Sequence, residues 1–140
     1  MLFIFDEAVE ARGLKEYAIY HGPKYGDEKK IFFSNADIFV FPTYYYNETF
    51  GLVNLEAMQY KLPLVSTDEG AVPGMVEKEI NGFICKRKDA CLIADAIEKL
   101  LDSKELRLQM GEAGYQIFKE KFTLKVFNNN ITKILKFRNP

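Results

Sequence analysis

Two apolar patterns alternate along this chain. Short, nearly continuous apolar runs occur at 17–20, 37–41, 63–66 and 82–85. Between them lie stretches with helical spacing: 6–14, 28–35, 51–60, 72–79, 89–101, 104–119 and 124–136. The breaks fall where backbone chemistry demands them. Gly13 ends the first helix, His21, Gly22 and Pro23 close the first strand, and Pro42 stops the second. Strands of four or five residues separated by helices predict an α/β fold, a Rossmann-like parallel sheet of about four strands flanked by helices on both faces. Ligands of such sheets bind outside the carboxyl ends of the strands. The loops at 21–26, 42–50, 67–72 and 86–89 are therefore the places to look for chemistry.

Composition narrows the classes. A length of 140 residues fits one domain spanning 1–140 and can bury a core. With 48% hydrophobic residues and balanced charge, the chain is not disordered. A net charge of -1 offers no electrostatic case for nucleic acid as a partner. The tail is locally basic, with Lys119, Lys121, Lys125, Lys133, Lys136 and Arg138 against Glu120. That pattern suits a solvated helix face, and also docking to an anionic membrane or a partner domain. Cys85 and Cys91 are the only cysteines and His21 the only histidine, too few for a Cys/His zinc site. Both thiols are expected to be reduced and core-facing, in a cytoplasmic protein. No apolar run approaches the roughly 20 residues of a membrane span. The start lacks the basic segment of a signal peptide.

The chemistry concentrates between Glu48 and Glu56. With Leu52 at zero and about 100° per residue, Glu56 falls at about 40°, Tyr60 at about 80° and Val53 at about 100°. A carboxylate bracketed by apolar residues must be satisfied. The vicinal hydroxyls of a ribose would do this, and so would a backbone amide or a basic side chain. Glu48 stands in the loop before the helix, as a solvated acid or as an acceptor for sugar hydroxyls. Phe50, Gly51, Leu52 and Val53 open the helix. The first amides of a helix have no intrahelical partners and favour anions such as a diphosphate. His21 reads as a turn or pocket-rim residue. Phe32, Phe33, Phe39 and Phe41 read as buried core. Phe127, Ile131, Ile134 and Leu135 have helical spacing and read as a docking stripe, onto this domain or across to another.

Taken in order, the motifs resemble a family. Ala36-Asp-Ile-Phe-Val-Phe-Pro42 leads into Glu48-Thr-Phe-Gly51-Leu-Val-Asn-Leu-Glu56-Ala-Met58, which looks like the E-x(7)-E signature of group 1 (family four) retaining glycosyltransferases. Leu62-Pro-Leu-Val-Ser-Thr67-Asp-Glu-Gly70-Ala-Val-Pro73 and the Asn81-Gly82 turn match as well, and the resemblance runs over about 15–137. It implies a truncated C-terminal donor-binding domain of the two-domain GT-B architecture. Glu48 would be the catalytic residue facing the donor sugar, and Glu56 would hold the ribose. Phe50, Gly51 and Leu52 would contact sugar and diphosphate through their amides, with Leu52 and Val53 packing near the nucleoside. His21 and Gly22 would lie near the base. The implied reaction moves a sugar from a nucleoside diphosphate, UDP or GDP, to a glycan or lipid-linked acceptor with retention of configuration. No cofactor and no metal are implied. The implied pathway is lipopolysaccharide or capsule biosynthesis, in the cytoplasm or at the inner face of the cell membrane, with peripheral membrane association of the full-length enzyme.

Three departures qualify the match. The N-terminal acceptor domain and the first part of the donor domain, with its diphosphate-neutralising Arg and Lys, are absent from these 140 residues, so the piece alone is expected to be inactive. Gly74 replaces the acid of a G-G-x-P-E loop. Tyr44-Tyr-Tyr46-Asn47 is a bulky loop before Glu48, suited to stacking on a sugar or acceptor, or to packing at an interface or on its own base. A binding or interaction module without catalysis is the alternative. A flavodoxin-like domain is disfavoured because the chain carries no P-loop, no G-x-G-x-x-G and no acidic cluster at the first strand end.

Overall fold

A computed structural model describes residues 2–136, with side chains from Phe5 onward; Met1 and the tail's Arg138 lie outside them. The chain divides into two compact units, Met1–Ile31 and Phe32–Pro140.

The first unit contains α1 (Leu2–Ala11). Gly13, at φ 65°, turns the chain out of the helix, and its N–H donates to the Glu10 carbonyl at 3.0 Å. Lys15 pairs with Glu10 at 2.6 Å, and the Phe5 and Tyr20 rings meet at 5.7 Å. The strand expected at 17–20 does not form. The Tyr17 and Ala18 amides both donate to the Leu14 carbonyl at 2.9 Å, so they serve a turn instead of a ladder. Tyr17, Ile19 and Tyr20 are consequently exposed.

Helix α2 (Gly26–Asn35) carries Asp27 and Glu28 in its first turn, where the helix dipole favours them. Its Phe33 reaches the core of the second unit.

In the second unit, β1 (Phe39–Phe41), β2 (Leu64–Thr67) and β3 (Gly82–Cys85) form a parallel sheet in that order. Three strands are present among the described residues where about four were expected, because 17–20 is irregular. β2 is central and buried throughout. β1 is an edge, so Phe39 and Phe41 are half-buried instead of core, and Phe32 is exposed.

Alternation along β2 divides the core. Leu64 packs with Leu55, Met58 and Met75 of one cluster, which α3 (Leu52–Gln59) covers. Val65 packs with Ala96 and Leu100 of the other, under α4 (Ala90–Asp102). Asp89 and Ser103 cap α4 and α5 (Lys104–Lys121) by accepting the amides of Leu92 and Leu106, each at 3.1 Å. Helix α5 presses its backbone on the turn after α3: a Cβ on Gly111 would lie 1.9 Å from the Lys61 carbonyl oxygen.

Two further expectations change. The helix at 72–79 is a single 3₁₀ turn, Val72–Gly74. Beyond it the buried Asn81 side chain takes over, accepting the Glu77 amide at 2.7 Å and donating to the Met75 carbonyl at 3.0 Å. Cys85 is buried, but Cys91 is exposed, since α4 turns Ala96 and Leu100 inward. In α6 (Leu124–Lys136) no residue is buried; Phe127, Ile131, Ile134 and Leu135 are exposed. Among the described residues, no helix is long and apolar enough to cross a membrane.

Candidate functional site

The carboxyl ends of β1, β2 and β3 feed three neighbouring loops, and the E-x(7)-E segment starts in the first of them. Register sets their heights: Phe41 lies opposite Ser66, and Thr67 opposite Cys85. Side chains then tie the loops down. The Ser66 hydroxyl donates to the Phe41 carbonyl at 3.0 Å, and the Thr67 hydroxyl donates to the Thr43 carbonyl.

Gly51 is the pivot. It is buried and left-handed, at φ 70° and ψ 46°, immediately before α3. Its peptide groups are held from two directions. Its N–H donates to Glu48 Oε1 at 2.9 Å, and its carbonyl accepts from Asn54 Nδ2 at 3.1 Å. Any side chain here would be strained by φ, and its Cβ would meet Asn54 Nδ2 at 2.8 Å and Val72 Cγ2 at 3.1 Å. The half-buried Glu48 carboxylate thus fixes the backbone that presents the first amides of α3. That use of one oxygen leaves the carboxylate's second oxygen as a further acceptor.

The loop after β2 backs this arrangement. A Cβ on Gly70 would lie 2.2 Å from the Glu48 carbonyl oxygen, and the Ala71 N–H donates to the Thr49 carbonyl at 3.1 Å. The two motifs quoted from the sequence therefore touch backbone to backbone. Gly74, the departure from the acidic pattern, is exposed in the 3₁₀ turn.

Helix α3 orients Glu56. Asn54, Leu55, Ala57 and Met58 form its buried side. Glu56, Val53 and Tyr60 are half-buried at the border, whereas Leu52 is 65% exposed. The apolar bracket read from the helical wheel is therefore open on the Leu52 side. Glu56 and Leu52, four residues apart, share the stripe facing away from the core. Phe50 is exposed beside them. His21 and Gly22 belong to the first unit, in irregular backbone; His21 is exposed, and Gly22 has φ 69°.

Two features escaped the sequence reading. Asn54, fully buried, looked like an ordinary helix residue; only its position one turn after a left-handed glycine marks it. Its Oδ1 is buried with no hydrogen-bond partner, so the side chain is spent on the Gly51 carbonyl alone. The second is an ion-pair bridge between the loops after β2 and β3. Arg87 pairs with the buried Glu69 at 2.9 Å and with Asp68 at 3.2 Å, and its N–H donates to Asp68 at 3.1 Å. Hydrogen bonding to Glu69, then the charges of Glu69 and Asp68, push the guanidinium pKa further up. Acids at 68–69 and bases at 86–88, one residue past adjacent parallel strands, were a readable signal.

Chemically, this edge offers backbone N–H groups at a helix start, two half-buried carboxylates that accept hydrogen bonds, and an open mouth. Among the described residues no group of three or more His, Cys, Asp or Glu side chains converges as a metal site would require.

Comparison with known proteins bears on the same segments. The family model described as "Glycosyl transferases group 1" matches residues 4–117. The chain is 36% identical over 96 residues to the capsular polysaccharide biosynthesis glycosyltransferase CapM of Staphylococcus aureus, covering 68% of this chain and 24% of that protein. It is 34% identical over 93 residues to the human alpha-1,3/1,6-mannosyltransferase ALG2, covering 64% and 22%. It thus spans about a quarter of the length of the curated relatives it matches. Among solved structures, the C-terminal domain of the group 1 protein LpcC from Francisella tularensis superimposes with a TM-score of 0.77 at 28% identity, covering 85% of this chain and 60% of that one. Anabaena HepE in complex with UDP gives 0.88 at 19% identity, covering 96% and 36%, a likeness of fold. With the match spanning both loop motifs and the sheet that carries them, this chain belongs to the group 1 glycosyl transferases.

Proposed function

We propose that this chain is the donor-binding part of a retaining glycosyltransferase that moves a sugar from a nucleoside diphosphate to a glycan or lipid-linked acceptor. The observation that carries the reading is the Gly51 pivot. A left-handed glycine, pinned by Glu48 and Asn54, opens α3 at the carboxyl edge of the sheet, with Glu56 on the outward stripe one turn later. On this reading the amides of Leu52 and Val53 receive the diphosphate, as helix starts do. Glu56 accepts two hydrogen bonds from ribose hydroxyls, and Glu48 offers its second oxygen to the donor sugar. Anabaena HepE, of the same fold, has been solved with UDP-glucose, which supports a nucleoside diphosphate sugar as the class of donor. No cofactor takes part. Transfer itself further requires a positioned acceptor and cations to stabilise the leaving diphosphate.

The test is ligand-observed NMR of the chain with UDP, GDP, ADP and their sugar conjugates, on wild type, Glu56→Ala and Glu56→Gln. One base is expected to bind, with affinity falling about tenfold or more in both variants as charge-assisted hydrogen bonds are lost. Absence of binding to every nucleotide, or equal binding by the variants, would overturn the donor role.

A further inference from the structure

We propose that Tyr44, Tyr45 and Tyr46 form an aromatic platform for a pyranose ring of the acceptor. The assignment to the acceptor rests on the donor reading above; the affinity for a saccharide ring does not.

Three consecutive rings are 62%, 59% and 82% exposed at the carboxyl end of β1. Large adjacent apolar surfaces left in water mark an interaction site. The loop is built, not slack. Thr43 is anchored by Thr67, the Tyr45 N–H donates to Thr43 Oγ1 at 3.3 Å, and the Glu48 N–H donates to the Tyr45 carbonyl at 2.8 Å. Asn47 Nδ2 donates to the Tyr45 hydroxyl at 3.3 Å, orienting that ring. A surface held this way loses little entropy on binding.

The rings themselves select the ligand. Tyr45 and Tyr46 stand 5.5 Å apart and tilted by 56°, so they present an angled pair of faces instead of closing on each other. Lys88 Nζ lies 5.4 Å from the Tyr44 centroid and occupies part of that ring's surroundings. Pro42, Thr43 and the three tyrosines line an open cavity of about 530 Å³, within the range of small-molecule sites. Its lining residues are uncharged, and Lys88 stands over the ring of one of them, Tyr44. An uncharged ring with a C–H face and a rim of hydroxyls matches it: C–H groups meet the electron-rich ring faces, and hydroxyls meet the phenol oxygens and Thr43. Along the loop the cavity residues precede Glu48, whereas the proposed donor groups begin with it, so a ring held here is assigned to the acceptor.

The experiment is saturation-transfer NMR on the full chain with the methyl pyranosides of glucose, galactose, mannose and N-acetylglucosamine. Mannitol serves as an acyclic polyol control, and UDP and GDP as a separate reading of the donor site. Transfer to ring C–H protons of at least one pyranoside but not to mannitol is expected. Tyr45→Ala/Tyr46→Ala should weaken it about tenfold, Tyr45→Phe/Tyr46→Phe should retain it, and nucleotide binding should be unchanged in both. Both substituted side chains sit on the surface, and matching melting curves will show that the variants fold. No transfer to any pyranoside, equal transfer to mannitol, or undiminished transfer in the double alanine variant overturns the platform. Pyranoside binding without any nucleotide binding overturns the donor reading and leaves the saccharide platform standing.

Discussion

Asn81 shows how much one side chain decides in this chain. Fully buried, it satisfies the Glu77 amide and the Met75 carbonyl at once, and the turn into β3 depends on both bonds. Asn81→Ala should cost about 2–3 kcal/mol by leaving buried groups unpaired, read as a lower urea midpoint at unchanged slope. The two thiols separate just as clearly. Burial first, then the charges of Asp89 and Asp95, push the Cys85 thiol above its ordinary value of 9.0. The folded state therefore resists the thiolate: this contribution to stability is full below about pH 9 and is lost as pH rises through the raised folded value. Exposed Cys91 should react with a thiol reagent in the native chain, and Cys85 only after denaturant is added. Two equally fast thiols would contradict this placement.

At the scale of elements, close backbone approach is the recurrent device. Helix α5 meets the turn after α3 at Gly111, where an added Cβ would sit 1.9 Å from a carbonyl oxygen that cannot swing away. Gly111→Ala should therefore destabilise by about 2–3 kcal/mol, measurable by thermal or urea unfolding, although alanine is the better helix former. The loop after β2 meets the loop after β1 in the same manner at Gly70, which is also left-handed at φ 53°. Gly70→Ala should push the Glu48–Gly51 segment out of register. The expected reading is displaced amide resonances at 48–52, together with a loss of about 1–3 kcal/mol of stability. A variant spectrum matching wild type in that segment would show that the two loops are not in mutual support.

At the scale of the whole molecule, stability is unevenly shared. The second unit holds both core clusters, whereas no residue from 5 to 31 is buried. A ten-residue helix such as α1 is marginal without packing. Hydrogen exchange should thus show the strongest protection at β2 and α3, and protection at 5–25 lower by orders of magnitude. The outline of this arrangement was legible in the sequence. The helical period gave α4, α5 and α6 within a residue or two, Gly82 to Cys85 was read correctly as a strand, and the ordered motifs pointed to the family. These features are local or carried by spacing, so a linear reading can find them. What failed turned on which groups take up the backbone bonds and which faces become covered. An apolar run at 17–20 becomes a strand only if another strand accepts its amides, and here a local turn takes them. A helical pattern at 72–79 yields when Asn81 offers the backbone a better set of bonds. Burial of β1 and exposure of Cys91 and α6 follow from which faces the other elements cover, and that is fixed only by assembly. Glu48 and Glu56 could be named from their spacing, but the sequence could not show that Glu48 holds Gly51, that Gly70 backs Glu48, or that Arg87 joins two loops. Those relations exist only once three parallel strands bring their carboxyl ends to one edge.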